Sequence, residues 1–212
     1  RQTLEDALTR GAAALAERRR DDARAAFDLA ATIAPEDPRV AAGQARLELL
    51  PEIIELIQDK RKQKTFYKAN RIPTADFVLT EDLADLKTHG YFLPGVHKLG
   101  KEGYDGRGVQ VIRTEADLDK GFDKPSLLEK LIDFEKEISV IVSRNESGDI
   151  ACFPVVELVF HKEANLVEYL FAPAEIPSRV EEAAYDLAKD VIDKLDMVGI
   201  LAVEMFLTKD GD

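Results

Sequence analysis

Hydrophobic positions change period several times along the chain. Leu4, Ala7, Leu8, Gly11 and Leu15 recur at helical spacing. A polar break at Arg18–Arg20 follows, and Asp21 and Asp22 offer an N-cap and dipole-favourable charge to a second helix burying Ala23, Ala26, Phe27 and Ala30. Pro35 and Pro38 stop it, and a third helix is expected from near Pro38 to about Leu50. Beyond it, Pro51–Lys64 reads as a helix through Ile53, Ile54, Leu56 and Ile57, and a further helix ends at Ile72-Pro73. Strand patterns follow at 77–79, 96–99, 109–112, 126–131, 138–143, 150–158, 166–171 and 199–207. Helical stretches are expected at 81–87, 115–122 and about 179–195, and 209–212 reads as the start of a hairpin turn. Strands that follow one another without a regular alternation of helices indicate an α+β fold with mainly antiparallel sheets.

Composition divides the chain near residue 50. The first 50 of its 212 residues hold eight arginines, no lysine and 14 alanines, whereas the rest holds 15 lysines, six arginines and 12 alanines. The reading is two domains, a helical segment at 1–50 and a second domain at 51–212, of different ancestry and joined by recombination or fusion. The simpler account is that Ala and Arg favour helices. Net charge is −12, distributed about −1 and −11 over the two parts. So acidic a chain lacks the basic footprint for general nucleic-acid binding. No apolar run reaches the roughly 18 residues of a membrane span, and the N-terminal residues have no apolar signal core. The single Cys152 has no internal disulfide partner, and with only His89, His97 and His161 a structural zinc site is not expected. A cytoplasmic setting is the default expectation.

Candidate chemistry begins with four glycines in the nine residues from Gly100 to Gly108, set between two strand patterns. Glycine lets backbone N–H groups approach phosphate oxygens with no Cβ in the way. Lys98, at the end of the preceding strand, places a charge for the same phosphates. No Gly-Lys-Ser/Thr opens a helix here, so the loop is not a Walker A motif, and an ordinary glycine-rich hairpin remains the alternative. Glu129-Lys130-Leu131-Ile132, with Glu137 eight residues after Glu129, offers a backbone stretch for an adenine edge and a carboxylate for ribose hydroxyls. Glu204 stands inside an apolar strand and should meet a cation, a metal or a polar cleft, or else be a salt-bridged core residue.

Two resemblances follow. Gly11, Ala23, Phe27, Ala30 and Pro35 sit at offsets that resemble a tetratricopeptide repeat, of which a single copy cannot bury its own face. Residues 51–212 resemble the ATP-grasp fold and, more narrowly, the ATP-dependent carboxyaminoimidazole ribonucleotide synthetases of purine biosynthesis. That resemblance rests on Gly103-Tyr104-Asp105-Gly106-Arg107-Gly108-Val109-Gln110, on Asp59-Lys60 and on the run from Leu128 to Ser139. Phe153-Pro154-Val155-Val156-Glu157 and the run Gly199–Phe206 extend it.

The resemblance implies ATP and Mg²⁺ as cofactors, with bicarbonate and aminoimidazole ribonucleotide as further partners. It implies that Lys98 holds the phosphates and that the loop carrying Gly103, Gly106, Arg107 and Gly108 closes over them. Glu129, Lys130, Leu131 and Ile132 would line adenine, Glu137 would bind ribose, Tyr104 and Asp105 would orient substrate or carboxyphosphate, and Glu204 would ligate Mg²⁺. Lys60 and His161 are weaker candidates, a surface lysine and a solvated histidine being their commoner fates. The resemblance also implies that the family's N-terminal nucleotide-binding domain and its second metal-ligand strand lie outside this chain. The expected consequence is an unpaired edge after Leu207, covered by the first 50 residues or by a second copy. The alternative function is a non-enzymatic scaffold, in which the helical segment mediates association.

Overall fold

The computed structural model describes residues 3–16, 19–103, 108–161 and 166–211. The chain separates into two compact units, Arg1–Leu56 and Ile57–Asp212. The first is built from α1 (Leu4–Ala16), α2 (Arg20–Ile33) and most of α3 (Pro38–Gln58). Thr3 caps α1: its Oγ accepts from the Asp6 N–H, while the Asp6 carboxylate accepts from the Thr3 N–H. Ala7, Leu8 and Ala14 of α1, Ala23, Phe27 and Ala30 of α2, and Val40 and Leu47 of α3 form one buried cluster. Ala7, Leu8, Ala23, Phe27 and Ala30 are among the positions that the helical spacing picks out, whereas Ala14 is not, and Leu4 and Leu15 are only partly buried.

One helix boundary differs from the sequence reading. The break expected after Leu50 is absent, and α3 continues through Pro51 to Gln58. The break falls instead at Asp59, whose carboxylate accepts from the N–H groups of Arg61 and Lys62 and so caps α4 (Lys60–Ala69). An expected helix over 51–64 is therefore two helices meeting at 59.

The second unit holds two antiparallel sheets. The first has the order β1 (Phe77–Thr80), β4 (Ser126–Lys130), β2 (Gly95–Leu99), β3 (Val109–Ile112). In register, Val78, Leu128 and His97 lie side by side on one face, and Phe77, Glu129 and Val96 on the other. The first face packs Leu128 with Leu86 of α5 (Leu83–Thr88), with Ile112, and with Leu118 of a 3₁₀ turn at Glu115–Lys120. The second face carries Lys98 two residues beyond Val96, and α4 supplies Lys64 to it.

His97 is fully enclosed on the apolar face. Its Nδ1 accepts from the Phe122 N–H at 3.1 Å, so Nε2 carries the proton and donates to Thr80 Oγ1 at 2.9 Å. Burial pushes its pKa down to about 4. The unfolded chain therefore takes up a proton near pH 6.5 that the folded chain refuses until about 4, and stability falls across that window. The expected loss is about 3 kcal/mol between pH 7 and 4. Urea unfolding at both pH values, beside His97→Leu, checks it: the variant should lose distinctly less on acidification than the wild type.

The second sheet has the order β6 (Ile150–Cys152), β5 (Phe134–Arg144), β7 (Val156–Phe160), β8 (Val167–Phe171), with β9 (Gly199–Thr208) on the other side of β5. The strand expected over 150–158 is divided, because Pro154 has no N–H with which to continue the ladder. β5 starts at Phe134, four residues earlier than its apolar pattern suggests, since pairing with β9 extends it through the polar stretch. Ile138, Val140 and Val142 are buried on one face. α6 (Ser178–Lys194) packs against β5 through a stripe of Val180, Ala184, Ala188, Val191 and Ile192. The opposite face of β5 and β9 presents Glu137, Ser139, Glu204 and Phe206. Among the described residues β9 pairs with β5 alone, and Ile200 and Phe206 are exposed on it. Also among the described residues, no helix is long and apolar enough to cross a membrane.

Candidate functional site

The site is built around Glu129. Its strand β4 lies between β1 and β2, so the side chain is enclosed by Phe77 and Val96 and is only 7% exposed. A carboxylate so placed needs cations, and two reach it. Lys64 Nζ lies 2.7 Å from Oε1 and Lys98 Nζ 2.5 Å from Oε2. Lys98 is opposite Leu127 in register, so its contact with Glu129 is the diagonal one that long side chains make across adjacent strands. Burial opposes ionisation of Glu129, but the charges of Lys98 and Lys64 outweigh it and hold the carboxyl below its ordinary range. Lys64 also donates to Thr74 Oγ1. Burial outweighs its attraction to Glu129, so its ammonium titrates below the ordinary lysine range.

Lys98 also feels the second sheet. Glu137 has its pKa raised first by burial and next by the charge of Glu204, while Lys98 pulls it down. Register sets these two carboxylates on one face as diagonal neighbours, Glu137 beside Phe206 and Glu204 beside Ser139. The charge of Lys98 on one sheet thus acts on Glu137 of the other. Glu204 lies within the apolar strand β9 as expected, but it is exposed and so is not a salt-bridged core residue. The even-numbered residues of β9 from 202 to 206 face outward while Val203 and Leu207 are buried.

The glycine-rich loop is anchored at both ends. The Leu99 N–H donates to Gly108 O at 2.9 Å, the Gly100 N–H to Pro125 O at 3.1 Å, and the Lys60 N–H to Gly100 O at 2.8 Å. Gly108 has φ +77°, and a Cβ there would come within 3.0 Å of Gly103 Cα, so glycine is required where the loop re-enters β3. Lys60 opens α4 beside this anchor, half-buried, and is brought to the loop by its backbone. Tyr104, Asp105, Gly106 and Arg107 lie outside the described residues.

The stretch after Glu129 is more committed than its sequence suggests. The Lys130 N–H donates to Asp76 O and the Leu131 N–H to Pro94 O. The Lys130 ammonium turns to the Phe92 carbonyl at 2.7 Å and lies over the Phe92 ring. Those donors are taken by the protein, and among the described residues the Ile132 N–H has no such bond. His161 is exposed at the end of β7, its N–H bonded to Leu166 O. Lys64 was not anticipated. Its one signal is its place four residues after Lys60, one helical turn along α4.

Two antiparallel sheets, the first carrying a buried lysine–carboxylate group, define an α+β fold with a charged site. Comparison with known families is specific: the model of the ATP-grasp domain matches residues 65–212. The chain belongs to the ATP-grasp family. Among curated relatives, an N5-carboxyaminoimidazole ribonucleotide synthase of Synechococcus elongatus is 35% identical over 164 residues, covering 74% of this chain and 40% of the relative. The crystal structure of N5-carboxyaminoimidazole ribonucleotide synthetase from Thermotoga maritima is 38% identical with a TM-score of 0.65, covering 76% of this chain and 41% of that one. An Aspergillus clavatus N5-carboxyaminoimidazole synthase solved with ADP and 5-aminoimidazole ribonucleotide is 25% identical with a TM-score of 0.68, covering 76% and 43%. The chain spans about two fifths of the length of these relatives.

Proposed function

We propose that residues 57–212 bind ATP with its phosphates between the two sheets, as the nucleotide-binding core of a carboxylating ligase making N5-carboxyaminoimidazole ribonucleotide. The observation that carries this reading is Lys98, paired with Glu129 on one sheet and close enough to Glu137 on the other to affect its titration. An ammonium beside an anchored glycine loop suits phosphate oxygens. Glu129 to Ile132 would take the adenine edge, the Ile132 N–H being the donor left for it, and Glu137 would bind ribose. Tyr104 and Asp105 keep their expected roles on substrate or carboxyphosphate and the loop glycines theirs on phosphate, with Lys60 a weaker candidate for the nucleotide.

In the reaction so assigned, a bicarbonate oxygen attacks the γ-phosphorus and ADP leaves, giving carboxyphosphate. That breaks down to phosphate and CO₂, whose carbon the amine of aminoimidazole ribonucleotide attacks with loss of a proton. The protein's part in phosphoryl transfer is positioning and charge neutralisation. A divalent cation would fit beside Glu204 and Glu137, whose pKa is raised first by burial and next by the charge of Glu204. Among the described residues no third carboxylate, histidine or cysteine joins them, so phosphate and water would complete its oxygen shell. Glu204 would hold it, and such an ion would offset the charge of the phosphates. The helical unit is read as a tetratricopeptide-like packing segment fused to this core, a reading supported by the close approach of Gly11 and Gly43 to Phe27.

Calorimetric titration with ATP and Mg²⁺ tests the assignment. Lys98→Ala removes a charge-assisted contact to phosphate, so the dissociation constant should rise between about tenfold and a hundredfold. Equal affinity in the two proteins, or no binding by the wild type, refutes it.

A further inference from the structure

We propose that Lys64 is a positioning residue that keeps Glu129 paired when Lys98 leaves it for polyphosphate, so that the Lys98–Glu129 contact is the resting latch of the site. The inference rests on the nucleotide-binding reading above and adds to it a residue that the reading does not use. Its ground is how one carboxylate divides between two cations. Oε1 is held by Lys64 and Oε2 by Lys98, at 2.7 and 2.5 Å. Each oxygen has its own partner, so Lys98 can depart and leave Oε1 satisfied.

The two lysines are not equivalent. Lys64 is 13% exposed, comes from α4, and is tied to Thr74 as well. Lys98 is 22% exposed and lies one residue before Leu99, where the glycine loop is anchored. Lys98 is therefore the member able to move, and Lys64 the fixed one. Had Lys98 been the sole partner, its transfer to phosphate would strand an ionised carboxylate that is 7% exposed, and that penalty would oppose binding. Two cations and one anion leave one positive charge over, and an incoming phosphate matches it.

Inorganic tripolyphosphate is the probe, because it carries the phosphates without adenine and so leaves any base contact of Glu129 out of the reading. Titrations compare the wild type with Lys64→Met, Lys64→Arg, Lys98→Ala and the double variant Lys64→Met/Glu129→Gln. Lys64→Met should bind about tenfold more weakly, since Lys98 is then pinned to Glu129. Lys64→Arg, which preserves the charge, should stay within about threefold of the wild type, and the double variant, with no carboxylate to strand, should recover to the same level. That recovery separates positioning from direct phosphate contact, which Glu129→Gln would not restore. The double variant leaves only Lys98, at 22% exposure, without its carboxylate, so it keeps the test decisive even where Lys64→Met does not fold. Wild-type affinity in Lys64→Met overturns the proposal, and so does a double variant as weak as Lys98→Ala. In both cases the nucleotide reading stands, provided that Lys98→Ala is weak. A wild type that binds neither ATP nor tripolyphosphate overturns both.

Discussion

Glu129→Leu is expected to destabilise the protein by about 3 kcal/mol or more at pH 7, the usual scale for removing one partner of a buried ion pair. The leucine occupies similar space between Phe77 and Val96, so packing changes little. The loss comes from the two ammoniums. Lys98 at 22% exposure can turn in part to water, whereas Lys64 at 13% is confined between α4 and β4 and has only Thr74 left. The variant should also respond to pH in a definite direction. Burial already lowers the Lys64 pKa against the attraction of Glu129, and without that attraction it falls further. Between the lowered folded value and 10.5 the unfolded chain binds the proton that the folded chain has released, so stability rises with pH. Urea unfolding at pH 7 and pH 9.5 is the measurement. The gap between wild type and variant should narrow at the higher pH, and a constant gap would mean that the two lysines are not what the mutation exposes.

The sequence carries the kinds of group at this site but not their pairing. Lys98 and Glu129 are each legible, the first as a charge before a glycine loop and the second as the start of an extended run. Their contact joins two strands across 30 positions of sequence, and it exists only through the register that sets Val96 opposite Glu129. Lys64 stayed hidden because the helix boundary was misplaced. In a helix ending at 64 it is a terminal surface lysine, whereas in one starting at Lys60 after the Asp59 cap it is a mid-helix side chain aimed at β4. Glu204 shows the opposite error. Apolar neighbours on both sides read as burial, but Glu204 lies on the face opposite Val203, and an antiparallel sheet can leave one face to solvent. His97 gave no signal because an alternating strand position looks the same whether its side chain meets solvent or a closed shell of Thr80, Phe122 and Leu128. The α1 and α2 core was the most legible part, since helical spacing alone specifies Ala7, Ala23, Phe27 and Ala30.

That core makes the other large prediction. Phe27→Ala should cost the helical unit about 3–5 kcal/mol, the range for emptying a buried phenylalanine site. The ring is 4% exposed and is the one large aromatic in a cluster otherwise lined by Ala7, Ala14, Ala23 and Ala30 with Leu8, Val40 and Leu47. Methyl groups on rigid helices cannot advance to fill the space it leaves. The fit is tightest at two glycines: a Cβ on Gly11 would stand 2.8 Å from the ring, and one on Gly43 2.1 Å from it. Helices α1 and α3 thus approach α2 as closely as an aromatic ring permits, and the ring fills the gap created by the missing side chains. A unit of 56 residues has little stability in reserve, so a loss on this scale should open it. Amide hydrogen exchange in the full chain reads the effect: protection over Ala7–Ala30 should collapse in Phe27→Ala. Ile33→Ala, at a position 42% exposed in the same helix, should leave it nearly unchanged. Gly43→Val should reproduce the collapse by overpacking rather than by a cavity. Retained protection in both Phe27→Ala and Gly43→Val would show that the three helices are held together by something other than this ring.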